Sequence, residues 1–170
     1  GTEGRTGLAA RLRPSVAQGL LTKIPQPLML VRQSIDGFAN AQSGPKDPLS
    51  ILVPVDRHPD PQVAVDFAMT LPDLWHLPVG AVHTLHAGDA PLTPPVQFRD
   101  MKGIKTEALT IPGDPETVIL DHCRKTAPDL TVLTRSGPTG ISETFLGSTS
   151  SRLIPQLASP VVVIPEPSYD

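Results

Sequence analysis

The sequence predicts an α/β fold with a five-stranded parallel sheet flanked by helices, preceded by a helix–strand remnant of an earlier repeat. Three observations support this fold class, which is Rossmann-like. Short apolar runs rich in branched residues alternate with segments of helical periodicity, the pattern of strands buried on both faces. Proline and glycine, 21 and 13 of the 170 residues, lie largely between those segments. A stretch near the N-terminus also recurs near the C-terminus.

The repeat aligns residues 4–32 with residues 137–165 without a gap, at a constant offset of 133 residues. Six positions are identical, and apolar residues match apolar residues over much of the remainder. Such a repeat indicates that the chain contains two copies of one structural unit. The first copy contains only the last third of that unit. The predicted organisation is a fragment of a first repeat (1–33), a polar, turn-rich linker (34–48) and a complete domain (49–170).

Local patterns place the elements of the complete domain. Apolar residues at helical spacing follow Pro61 and predict the first helix. Asp114 and Pro115 are typical of an N-cap and a first helical residue. The predicted strands are 49–55, 79–85, 105–111, 129–133 and 160–164. The predicted helices begin at Pro61, Pro115 and Ser148, the last two ending near Thr126 and Leu157, and one further turn of helix is expected near 96–101.

The composition excludes several classes of function. A net charge of −3 and an aromatic content of 4% give no reason to expect a nucleic-acid partner. The single cysteine, Cys123, rules out a disulfide framework, and the five histidines are scattered, so we predict no metal site. No signal peptide opens the chain and no apolar run is long enough to span a bilayer, so we expect a cytoplasmic location without membrane insertion.

Candidate binding residues cluster where parallel strands end, the edge at which open α/β sheets bind ligands. Asp56 follows the first strand of the complete domain and could accept hydrogen bonds from a ribose. Thr84 is expected near the end of the second strand and Thr134 just after the fourth. A glycine-containing loop then leads to Ser148 and Thr149, whose hydroxyls and backbone N–H groups could bind phosphate. The loop has no lysine, so it is not an NTPase phosphate loop.

These motifs resemble the universal stress proteins, whose nucleotide-binding members carry Gly-x2-Gly-x9-Gly-Ser/Thr before the last helix. This chain has Thr134-x2-Gly137-x9-Gly147-Ser148, so the first glycine is replaced. The resemblance extends to ILVPVD at 51–56, GDP at 113–115 and ASPVVVIP at 158–165. It implies an adenine nucleotide alpha hydrolase-like fold in which Asp56 binds the adenosine part and Thr84 lies along the adenine. It further implies that Thr134, Gly137, Gly147 and Ser148 hold the phosphates.

The resemblance implies a stress-response regulatory domain that binds ATP or a related adenine nucleotide, with Mg²⁺ only if a triphosphate is bound. No nucleophile, base and acid occur together in the sequence, so we predict binding rather than catalysis. It also implies a homodimer formed by last-strand pairing, and we expect residues 28–31 to lie beside residues 161–164. One alternative is a degenerate, non-binding assembly module, which Thr134 and Pro14 favour. Another is the cytoplasmic regulatory tail of a membrane transporter.

Overall fold

The computed structural model describes residues 25–31, 48–135 and 148–166, which form a sheet with helices on both faces. The strands are β1 (Leu28–Leu30), β2 (Leu49–Val55), β3 (Val79–Ala87), β4 (Lys105–Ile111), β5 (Leu130–Arg135) and β6 (Val161–Pro165). The helices are α1 (Pro61–Trp75), α2 (Pro115–Thr126) and α3 (Ser148–Leu153). The predicted α/β class is confirmed.

The sheet has the strand order β1-β6-β5-β2-β3-β4. Strands β2 to β6 run parallel, and β1 is antiparallel to β6. From β2 the chain proceeds outward to β3 and β4 on one side, then returns to β5 and β6 on the other. The strand order therefore reverses between β2 and β5, and this reversal fixes where a ligand crevice can open.

Successive side chains along each strand point to opposite faces of the sheet, so the core has two layers. Ile51 and Val53 of β2 point toward α1, whereas Leu52 between them points to the opposite face. That opposite face is covered by α2 and α3, through residues such as Ile119 and Leu153. Both faces of the central strands are thus removed from water, which explains why their sequences are continuous apolar runs.

The two longer helices begin as their sequences predict. Asp114 caps α2, its Oδ2 accepting a hydrogen bond from the Thr117 N–H at 3.0 Å, and Pro115 is the first helical residue. The same arrangement starts α1, where Asp60 Oδ1 accepts from the Gln62 N–H at 2.9 Å. Each cap supplies a partner to an N–H group that the helix itself leaves unpaired.

The expected pairing of the two repeat copies is confirmed. β1 adds a sixth strand at the edge of β6, and the pairs are Leu28 with Val163, Met29 with Val162, and Leu30 with Val161. Met29 and Val162 are equivalent positions of the repeat and face each other at the centre of the ladder. The contact therefore has a local two-fold relation, the geometry that two identical units adopt when like strands pair.

The proline-rich segment 88–104, which we call the strap, is not helical, so the helical turn predicted near 96–101 is wrong. It runs over α1 in an extended form, with Val96, Phe98, Met101 and Ile104 packed on the α1-side core. The Gln62 side chain holds it by accepting from the Gln97 N–H at 2.9 Å and donating to the Gln97 carbonyl at 2.8 Å. Side chains of α1 thus satisfy backbone groups that a helix would have paired internally.

β6 is shifted by one residue from its predicted bounds, and three larger differences bear on the site. β3 continues to Ala87, so Thr84 lies three residues before its end. β5 spans Leu130–Arg135, so Thr134 belongs to the strand rather than to the loop after it. α3 ends at Leu153, and a turn follows before Leu157, which is nevertheless fully buried. The linker at 34–47, the predicted N-terminal helix with Pro14, and the glycine loop at 136–147 lie outside the described residues.

Candidate functional site

A cleft of about 230 Å³ opens where the strand order reverses. The ends of β2 and β5 form its floor, and Pro61 and Pro115, the first residues of α1 and α2, lie at its rim. Its described lining consists of Pro54, Val55, Asp56, His58, Pro59, Pro61, Ala87, Pro115, Ile119, Leu133, Thr134, Thr149, Ser150 and Leu153. The prediction that a crevice forms at the carboxyl ends of these strands is confirmed in position.

The ladder between β2 and β5 is short, and the cleft lies at the ends of these strands beyond it. Their ladder joins Ile51 to Leu130 and Leu52 to Thr131, at the amino-terminal end of β5. Pro54 lies further along β2 and has no N–H to offer a neighbouring strand. Pro54 is opposite Leu85 in the β2–β3 register and also lines the cleft.

The structure brings three predicted site residues to the cleft, namely Asp56, Thr134 and Thr149. Thr84 is only 1% exposed and is not among the lining residues; the residue of β3 that reaches the cleft is Ala87. The α3 backbone begins at Ser148, whose side chain is not described. Gly137 and Gly147 lie outside the described residues, so their predicted roles stay predictions.

Asp56 presents a carboxylate at the cleft. Its side chain is 65% exposed, and its Oδ1 accepts a hydrogen bond from the Arg57 N–H at 2.7 Å. That bond fixes one oxygen close to the turn that leaves β2. The carboxylate is therefore oriented and accessible, as a hydrogen-bond acceptor for a ligand hydroxyl must be.

His86 is a neighbour of this carboxylate that the sequence reasoning missed. Its Nδ1 lies 3.3 Å from the Val55 carbonyl and 3.8 Å from Asp56 Oδ1, and the side chain is 12% exposed. Both neighbouring atoms are acceptors, so the arrangement calls for a hydrogen on Nδ1. The signal was available in the register, because Val55 and His86 are opposite each other in the β2–β3 ladder.

Asp56 is the acidic side chain among the described lining residues, and Asp114 caps the helix whose first residue, Pro115, also lines the cleft. The hydrogen bonds from the backbone and side chain of Thr117 hold the pKa of Asp114 below its ordinary value. Arg135 ends β5 but is 5% exposed and does not line the cleft, and burial lowers the pKa of its guanidinium. Arg135 therefore adds no charge to the described lining of the cleft.

The described residues do not assemble a recognisable catalytic centre. Within them, no hydroxyl that lines the cleft is hydrogen-bonded to a histidine, so no nucleophile is paired with a base. A group of three or more His, Cys, Asp or Glu side chains that could hold a metal ion is also not found in that part of the chain. The chemistry that the described residues do provide is hydrogen bonding to a polar ligand.

Comparison with known proteins agrees with this geometry. Residues 96–165 match the model of the universal stress protein family. A sequence search of curated proteins finds no match. The crystal structure of a universal stress protein from Archaeoglobus fulgidus is 18% identical with a TM-score of 0.66, and the alignment covers 92% of this chain and 55% of that one. The chain thus spans little more than half the length of that protein.

A second solved structure supports the fold of the complete domain. A hypothetical protein whose biochemical function was assigned from its structure is 18% identical with a TM-score of 0.53, and 71% of this chain covers 98% of that one. Identities at this level show a shared α/β fold. Two more distant structures, a universal stress protein in complex with cAMP and an Arabidopsis thaliana family protein with AMP bound, have TM-scores of 0.49 and 0.45. In the described part of the chain, no helix is long and apolar enough to cross a membrane.

Proposed function

We propose that the chain is a universal stress protein-like regulatory domain that binds an adenine nucleotide or nucleoside and acts by binding rather than catalysis. The observation that carries the proposal is the cleft at the strand reversal. Asp56 and Thr134 lie there at the ends of adjacent strands, facing Thr149 at the start of α3. An acidic acceptor beside hydroxyl donors is suited to a ribose and its attached group.

In this proposal each described side chain has a defined task. The Asp56 carboxylate accepts hydrogen bonds from ribose hydroxyls, and His86 restrains the turn from which it projects. The apolar lining, which includes Leu133 and Leu153, provides surface for the base. The hydroxyls of Thr149 and its neighbours donate to the 5′ substituent. The chain would act in the cytoplasm by changing its contacts with partners when the ligand binds.

Calorimetric titration of the 170-residue chain with adenosine tests the proposal. Asp56→Ala should weaken binding by roughly 1–3 kcal/mol, the usual cost of an unmet buried hydrogen-bonding group. Asp121→Ala is the matched control, because Asp121 is an exposed carboxylate of α2 that does not line the cleft. Equal affinity of the Asp56→Ala variant and the parent would remove Asp56 from the site. Heat from neither protein with adenosine, nor with AMP, ADP or ATP in its place, would refute the proposed function.

A second candidate, an assembly module that binds no nucleotide, is favoured by the pairing of β1 with β6. Equivalent residues of the repeat meet there with a local two-fold relation, as in an interface between two like domains. The β6 edge is occupied within the chain, so a homodimer through that edge would require β1 to leave. If removal of residues 1–33 changes neither stability nor oligomeric state, this candidate fails.

A further inference from the structure

The outer edge of β4 is free in the described part of the chain, because β4 ends the sheet order and pairs only with β3 there. Residues 105–108 of β4 are exposed, and residues 109–111 are partly buried. We propose that the exposed half of β4 is an interface at which a second copy of the chain adds its own β4, antiparallel, across a two-fold axis. No residue of β4 is among the described lining of the cleft, so this proposal does not depend on the proposed function.

The backbone of β4 offers hydrogen-bonding groups to a partner strand at every second residue. The Gly88 N–H donates to the Ile111 carbonyl at 3.0 Å, so the backbone groups of Ile111 point toward β3. In a strand, the N–H and C=O groups of one residue point to the same side, and those of the next residue point to the other side. The groups of Thr106 and Ala108 therefore point outward, where an added strand would meet them.

The side chains favour one register of self-pairing. When Thr106 lies opposite its own copy, Lys105 lies opposite Glu107 of the second copy, and the symmetry makes this pair occur twice. Opposite charges and threonine pairs stabilise antiparallel strands at directly opposite positions. With Glu107 on the axis, two carboxylates would meet instead. With Ala108 on the axis, Lys105 would lie opposite Ile111, and the contact would need the partly buried half of the strand.

The same two charges explain why the occupant is a second copy of this chain. Lys105 is exposed, and the Glu107 side chain is 58% exposed although it lies 3.5 Å from His83 Nδ1. A lysine on an edge strand ordinarily discourages pairing with other strands. Here an acid follows two residues later, so an antiparallel copy supplies the matching charge at both ends of the contact. A strand without that acid would leave the lysine opposite an unsuitable residue.

The test is sedimentation equilibrium of the 170-residue chain over a range of concentrations, in which the parent should form a reversible dimer. Lys105→Glu and Glu107→Lys each replace two attractive pairs with two repulsive ones, so each should weaken the dimer roughly tenfold or more. In an equimolar mixture, each variant supplies the charges that the other lacks. The mixture should therefore form heterodimers with an affinity close to that of the parent. Lys102→Glu makes the same change of charge before β4 begins and is the matched control.

A second variant tests the backbone contact. Ala108→Pro removes an N–H group that points away from β3, a position at which an edge strand tolerates proline. The variant should be monomeric, and its urea midpoint shows whether it is folded.

Two results would overturn the proposal. One is a parent that stays monomeric at every concentration. The other is a dimer that neither charge variant weakens, or that the mixture of the two fails to restore, as expected for association through the β6 edge or another surface.

Discussion

At the scale of single residues, Gly88 leaves the space that the His86 ring occupies. A Cβ at Gly88 would lie 2.5 Å from His86 Nε2, closer than a carbon and a nitrogen can approach without movement. The glycine thus leaves space for the imidazole, which is nearly buried and is positioned against the Val55 carbonyl. The identity of residue 88 therefore controls the position of a side chain next to Asp56.

We expect Gly88→Ala to displace the His86 ring and to lower the free energy of unfolding by roughly 1 kcal/mol, the usual net value of one hydrogen bond. Urea denaturation measures this. The control is the same substitution in a His86→Ala background, where no ring is left to displace and the cost of Gly88→Ala should largely vanish. An equal cost in both backgrounds would show that the effect arises from the backbone and not from the ring.

Some of the site residues could be predicted from the sequence and others could not. Asp56 is predictable because it directly follows an unmistakable buried strand, and the structure places it in the cleft. Thr84 was placed too near the end of its strand, since the pattern of apolar residues does not reveal that β3 runs on to Ala87. His86 was missed because its role depends on the β2–β3 register, a relation between strands that no local pattern encodes.

At the scale of elements, β1 is a three-residue strand held by one neighbour. Leu28 and Leu30 pack on the core of the α2 side, and Met29 packs on the core of the α1 side. So short a strand owes its position to those contacts and to the ladder with β6. If it left, the β6 edge would present unpaired N–H and C=O groups to other chains.

We expect Met29→Pro to release β1, because proline fixes a backbone angle at the centre of the pairing and removes the Met29 side chain from the α1-side core. The freed β6 edge should then promote self-association, which light scattering combined with size-exclusion chromatography would detect. Met29→Leu, which keeps the backbone freedom and a similar side-chain volume, is the matched control and should behave as the parent. A Met29→Pro variant with the parent's mass and unfolding midpoint would show that β1 contributes nothing to the fold.

Element prediction succeeded where a cap or a periodicity was present and failed where a segment is held by other elements. The start of α2 follows from Asp114 and Pro115 alone. The strap, in contrast, has an apolar spacing at 96–101 that suggested a helical turn, yet those residues pack on α1 in an extended form. Gln62 supplies the hydrogen bonds that make this possible, and it is 35 residues from Gln97 in the chain.

At the scale of the whole molecule, the internal repeat is the feature with the widest consequences. It predicted that residues 28–31 would lie beside residues 161–164, and β1 does pair with β6 as the sixth strand of the sheet. The local two-fold relation of β1 and β6 follows from the same repeat, since Met29 and Val162 are equivalent positions. The repeat therefore specifies a contact between copies in addition to the fold of each copy.

The stability of the whole molecule should decrease on mild acidification because of His122 on α2. Burial holds the pKa of His122 below its ordinary value of 6.5, with further lowering by the charges of His83 on β3 and Lys125, while Glu107 on β4 acts in the opposite direction. As the pH falls below about 6.5, the unfolded chain takes up this proton before the folded chain does. The contribution is complete above that pH and is lost as the pH falls toward the lowered value.

We therefore expect the urea midpoint of the parent to fall between pH 7.5 and pH 5.5, and His122→Asn to reduce that fall. The exposed His76 offers the matched control, because it has φ of 51°, a left-handed conformation that Asn also tolerates. His76→Asn should retain the parent's pH dependence. Asp114 acts at a lower pH. Because its pKa is held below the ordinary value of 3.8, its contribution to stability is lost only as the pH falls below about that value. Identical slopes for His122→Asn and the parent would place the acid sensitivity elsewhere in the fold.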